Sequence, residues 1–161
     1  MAEQDERLLL RSIPYSKEAE ASVIGAMIRD GDAVLAALEI LQPEDFYGRQ
    51  YQMLFSCMKE MAQAGVAIDF VSLQDKLKGK KDIPPELSSL ETLKNLAMDV
   101  PSVANVRIYA EMVRSKAVLR ALIRTNEEIA DMCYKGEEDL EVILERTEQK
   151  IFNLLLERNT R

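Results

Sequence analysis

The chain has 161 residues, 47% of them hydrophobic, and a net charge of −7, room for one core-forming domain with an appendage. That acidic balance argues against a protein that grips a nucleic-acid backbone by bulk electrostatics. With no histidine at all, imidazole catalysis and histidine metal ligation are excluded.

Residues 1–12 read as a flexible arm, and Leu8-Leu9-Leu10 is too short for a signal-peptide core. Ser16 is placed to cap a first helix with Glu18 in its opening turn, burying Ala19, Val23, Ala26 and Met27. Asp30-Gly31-Asp32 ends it and starts a second helix, Ala33 to Leu41. A turn at Pro43-Glu44-Asp45 presents Phe46 and Tyr47, both expected in the core. An amphipathic helix then lines up Tyr51, Leu54, Phe55, Met58, Met61 and Ala62, with Gly65 beyond its end and Met53 also read as packing. Asp69 caps a short helix through Leu77, and 78–85 is a loop rich in Lys, Gly and Pro. Leu87 to Met98 is helical, and Val100-Pro101-Ser102 supplies a break and a cap.

Two long helical runs follow, broken at Lys135-Gly136. The first, from about Ser102 to Tyr134, carries two apolar stripes: Val106/Ala110/Val113/Ala117/Ala121 and Ile108/Met112/Leu119/Leu122/Ile129/Cys133. One core needs a single stripe of about 100°, so the second calls for a second partner. In the other run, Glu137 to Arg158, Leu140, Leu144, Thr147, Ile151 and Leu154 form a short coiled-coil-like seam. Charge is split between the runs. Five bases against Glu111 give +4 over 103–124, and ten acids against five bases give −5 over 125–161, which favours antiparallel pairing. The fold class is all-α: a small helical bundle over 13–100, then a long antiparallel hairpin over 101–161.

Candidate chemistry is scarce. No GxxxxGK[ST], GxGxxG, GxSxG or HExxH motif occurs. Glu18/Glu20, Glu44/Asp45 and Glu127/Glu128 read as caps and solvated faces rather than a catalytic dyad. Cys57 and Cys133 read as core thiols of a reducing compartment. No run reaches the ~18 apolar residues of a membrane span, so a cytoplasmic location is expected. Catalytic residues, metal ligands and cofactors are therefore expected to be none.

Three segments resemble one family. Pro14-Tyr15-Ser16-Lys17-Glu18-Ala19-Glu20 with Val23-Ile24-Gly25, then Leu41-Gln42-Pro43-Glu44-Asp45-Phe46-Tyr47, then Val100-Pro101-Ser102-Val103-Ala104-Asn105-Val106 with Tyr109-Ala110 are similar to the N-terminal domain of DnaB-type replicative DNA helicases; Ile68-Asp69 fits as well. The resemblance runs from about Ile13 to the end of the hairpin. It implies a non-catalytic collar domain whose hairpins pair as dimers, three dimers making a collar on a hexameric ring, and on which primase docks through its C-terminal domain. ATP and magnesium belong to a RecA-like motor domain absent from this chain, which looks like an excised fragment ending at the start of a linker. Matched by position, the primase contacts fall on Ile123, Ile129 and Thr92, where relatives can carry an aromatic in place of Thr92. Ile123 and Ile129 are offset by about 120° around a helix, so they do not share one narrow stripe. Self-association is assigned to Leu140, Leu144, Ile151 and Leu154. The alternative makes the chain a single-stranded DNA-binding or helicase-loader-like adaptor, with Arg107, Arg114, Arg120 and Arg124 as a weak nucleic-acid face.

Overall fold

The computed structural model of the chain describes residues 11–160, with side chains for 11–159. Most of the expected arm, and the Leu8-Leu9-Leu10 run within it, lies outside the described residues. The described residues form seven α-helices and no strand. They are α1 (Lys17–Arg29), α2 (Gly31–Ile40), α3 (Arg49–Gln63), α4 (Phe70–Lys78), α5 (Leu90–Met98), α6 (Val106–Lys135) and α7 (Leu140–Thr160). The first five form a head, and α6 and α7 form the hairpin. This is the all-α bundle with a hairpin that the patterning implies.

The caps explain where several helices start. Ser16 Oγ accepts from Ala19 N at 3.1 Å, Asp30 Oδ1 from Asp32 N at 3.0 Å, and Asp69 Oδ1 from Ser72 N at 2.8 Å. Gly65 (φ 72°) and Gly136 (φ 58°) supply the left-handed residues that stop α3 and α6. Two expected boundaries shift. Leu87 to Met98 is divided: a 3-10 turn at Pro85–Ser88 precedes α5, and Ser89 is the cap. Ser102 opens only the 3-10 turn Val103–Asn105, without a side-chain cap bond, so α6 begins later, at Val106.

Helix α1 occupies the centre of the head, packed by α2, α3, α5 and α6. It therefore buries more than one stripe: Ile24, Gly25 and Ile28 are enclosed along with the four expected residues. A helix packed by four neighbours keeps only a narrow polar strip, here Glu18, Ser22 and Arg29. At Gly25 the neighbour comes so close that an added Cβ would stand 2.0 Å from the Leu96 carbonyl oxygen and 2.4 Å from Val100 Cγ2. Helix α3 contributes Tyr51, Leu54, Phe55, Met58 and Met61 to the same core, its Phe55 ring 5.0 Å from that of Phe46.

Candidate functional site

Helix α6 changes environment along its length. Its N-terminal half lies on α1 and α2, where Val106, Ala110 and Val113 are buried. Beyond them it runs beside α7, and the contact between the two is sparse. Of α7 only Ile143, at 9% exposure, is buried among the described side chains. A cleft of about 630 Å³ opens between the helices, lined by Ala121, Arg124, Thr125, Glu128, Lys150 and Leu154 among others. An ion pair, Lys150 to Glu128 at 2.8 Å, crosses it. The expected electrostatic pairing is thus realised in part, because Arg107 turns instead to Glu39 on α2 at 2.7 Å.

The hairpin leaves a large apolar surface in water. On α6, Ile108, Met112 and Leu119 are exposed; on α7, Leu140, Leu144, Phe152, Leu155 and Leu156 are exposed. The expected seam is therefore rotated. Leu140 is 67% exposed, while Ile143, outside that seam, faces inward; Thr147, Ile151 and Leu154 are half-buried. So many exposed apolar side chains on two helices make the hairpin a candidate interaction surface.

A polar clamp ties the hairpin to the head. Glu20 is 1% exposed, and its carboxylate accepts from Tyr47 N at 3.1 Å and Gly48 N at 2.9 Å. The expectation that Glu20 is solvated is corrected here: a buried carboxylate is tolerable because backbone donors satisfy it. Above it the Arg120 guanidinium donates through Nη1 to the Pro14 carbonyl at 2.8 Å and through Nη2 to the Asp45 carbonyl at 2.6 Å. Arg120 also lies 5.5 Å from the centre of the Tyr47 ring, which stacks on Tyr15 with centroids 4.5 Å apart. Burial lowers the Arg120 pKa from its ordinary value, while Glu20 and Asp45 act to raise it. Asp45 is buried and caps its own turn, its Oδ2 accepting from Gln42 N at 2.7 Å. Tyr47 is a correction to the expected core pair: Phe46 is buried, but Tyr47 is 47% exposed in the stack.

The remaining candidate residues are spread over both parts. Ile123 and Ile129 are half-buried on α6, in the hairpin. Thr92 is in the first turn of α5, which packs on α1 and α4, and its Oγ1 accepts from Ser89 Oγ at 2.8 Å. Among the four arginines, Arg114 donates to the Arg158 carbonyl on α7, and Arg124 is exposed beside the cleft. Cys57 is buried and burial raises its thiol pKa, but Cys133 is exposed, against the expectation of two core thiols. Among the described residues no Cys, Asp or Glu group of three is placed to hold a metal, and no helix is long and apolar enough to cross a membrane. Sequence reasoning missed the Glu20–Arg120 clamp, whose members lie on different helices 100 positions apart. The signal available was that Glu20 shares a helical face with Val23, Ile24 and Met27, three, four and seven positions on.

The family model "DnaB-like helicase N terminal domain" matches residues 12–115. Replicative DNA helicase DnaB of Geobacillus stearothermophilus is 39% identical over 141 residues, 88% of this chain and 31% of the relative. Replicative DNA helicase DnaC of Bacillus subtilis is 33% identical over 91% of this chain and 32% of its own length. The chain thus spans about a third of the curated relatives it matches. The crystal structure of the N-terminal domain of DnaB helicase from Mycobacterium tuberculosis superposes with a TM-score of 0.80 at 29% identity, covering 88% of this chain and 99% of that one.

Proposed function

The chain belongs to the DnaB-like helicase N-terminal domain family, and from that premise we propose that it is a scaffold that self-associates through its hairpin and docks primase. The observation that carries the reading is the apolar surface of the hairpin, with Leu140, Leu144, Phe152 and Leu155 in water on α7 and Ile108, Met112 and Leu119 on α6. A neighbouring hairpin covering these side chains would remove most of them from solvent, at roughly 25 cal/mol per Å² of apolar area. Ile151 and Leu154, both half-buried on α7 and Leu154 lining the cleft, would complete the packing. Unwinding and ATP hydrolysis, with ATP and Mg²⁺, are proposed for a motor domain elsewhere in a longer protein.

Primase docking is proposed at Ile123 and Ile129, with Thr92 as a further contact. Half-burial suits the first two, since such side chains keep apolar area available without unfolding the hairpin to expose it. Light scattering from micromolar to near-millimolar chain tests self-association, and a strict monomer throughout overturns it. Calorimetric titration with the C-terminal domain of the cognate primase tests docking. Equal binding by the parent and a folded Ile123→Asp/Ile129→Asp variant overturns the assigned face. An unpartnered carboxylate in a desolvated interface costs several kcal/mol, so the expected loss is large.

The DNA-binding alternative finds less support. Arg120 is engaged within the chain and Arg114 reaches an α7 carbonyl, which leaves Arg107, paired with Glu39 at the surface, and Arg124 as the exposed candidates. Steeply salt-dependent binding of single-stranded DNA would restore it.

A further inference from the structure

Helix α6 works as a lever. It buries its last side chain against the head at Val113, and from there it runs on to Lys135, a span of about 33 Å at 1.5 Å per residue. Arg120 lies two turns past Val113. Its forked guanidinium reaches two carbonyls from separate head segments, Pro14 before α1 and Asp45 before α3. Two bonds to points apart in the head restrain the helix in two directions, as one bond would not. The acceptors are themselves held: Glu20 fixes the amides of Tyr47 and Gly48, and Asp45 caps its own turn. The Tyr15–Tyr47 stack closes the open side. A displacement of 1 Å at Arg120, about 10 Å beyond Val113, becomes about 3 Å at the hairpin turn by the same rise per residue.

We infer that Arg120 is the positioning residue of the hairpin: bridging the Pro14 and Asp45 carbonyls, it sets the angle between hairpin and head, and hence the geometry at which hairpins meet. The second clause rests on the assembly reading above. The first does not. Two of the three family-like segments contain Pro14 and Asp45, and they supply the acceptors and the stacked rings.

The exposed Cys133, near the hairpin turn, permits a direct test, because Cys57 is 1% exposed and resists labelling. In the full chain, nitroxides are attached at Cys133 and at Val71→Cys, an exposed site on α4 away from the clamp. The distance distribution is read by pulsed electron resonance on dilute monomer. The parent is expected to give one narrow peak, Arg120→Gln a broad one, and Arg120→Lys an intermediate width. Loss of stability alone would lower the unfolding midpoint without widening the distribution of the folded molecules. A distribution in folded Arg120→Gln as narrow as the parent's overturns the inference. Should Arg120→Gln fail to fold, Arg120→Lys is read by the same criterion, since it keeps the cation and lacks the fork. Because distances come from the monomer, a parent that never self-associates removes the assembly reading and leaves this result standing.

Discussion

Replacing Glu20 by alanine deprives two backbone amides of their acceptor, those of Tyr47 and Gly48. A buried donor left unsatisfied costs about 1–3 kcal/mol, and bonds to a charged partner lie at the upper end. Both bonds are only partly buried, so water can relieve some of the loss. The pair should therefore cost about 2–4 kcal/mol. For a chain of this length each kcal/mol lowers Tm by roughly 2–4 °C, which gives a drop of about 4–16 °C. The Glu20→Gln variant keeps one oxygen acceptor but turns an amide NH₂ toward the second N–H. It should lose about 1–2 kcal/mol. Thermal and urea unfolding of dilute protein, followed by far-UV circular dichroism, measures both. If both variants stay within about 0.5 kcal/mol of the parent, the range of an ordinary surface substitution, the clamp is not what holds the turn before α3.

Gly25→Ala should destabilise the head by about 1–3 kcal/mol or more, since its methyl would meet the Leu96 carbonyl; unfolding indistinguishable from the parent would contradict that close approach. Under native conditions a thiol reagent should modify Cys133 quickly and Cys57 only on unfolding; two thiols reacting at the same rate would refute the burial of Cys57. Hydrogen bonds from Ser72 hold the Asp69 carboxyl below its usual pKa, and the Lys80 bond does the same for Glu60. A depressed folded-state pKa contributes stability above the unfolded value, lost as pH falls through the folded one, so these groups should weaken the fold below about pH 4. Urea midpoints across that range should decline less in Asp69→Asn, and a parent that gains stability in acid would reverse the sign.

The head was legible because its signals are local. Ser16, Asp30 and Asp69 announce helix starts through bonds spanning two or three residues, and Gly65 and Gly136 mark stops that need a positive φ. What escaped depends on where distant elements meet. Tyr47 and Phe46 are adjacent and chemically alike, yet one is core and the other stacks in the open, because only Phe46 points at Phe55. Leu140 and Ile143 are equally apolar, and their spacing does not reveal which of them turns inward. Glu20 read as solvent-facing because its partners, the amides at Tyr47 and Gly48, are 27 and 28 positions away. The surplus apolar surface was legible, because the second stripe of α6 is written in its own spacing.

The bond from Arg120 to the Pro14 carbonyl spans 106 positions, and the neighbouring core contacts of α6 with α1 are nearly as distant. During synthesis at about 5–20 residues per second, α1 is made roughly 5–20 s before Arg120. Over that interval a helix destined for the centre of the head has only α2, α3 and α5 to shelter it, and the face that will meet Val106, Ala110 and Val113 lies open. A nascent chain of this protein should therefore be most prone to capture by chaperones, or by its polysome neighbours, between the emergence of α5 and that of α6.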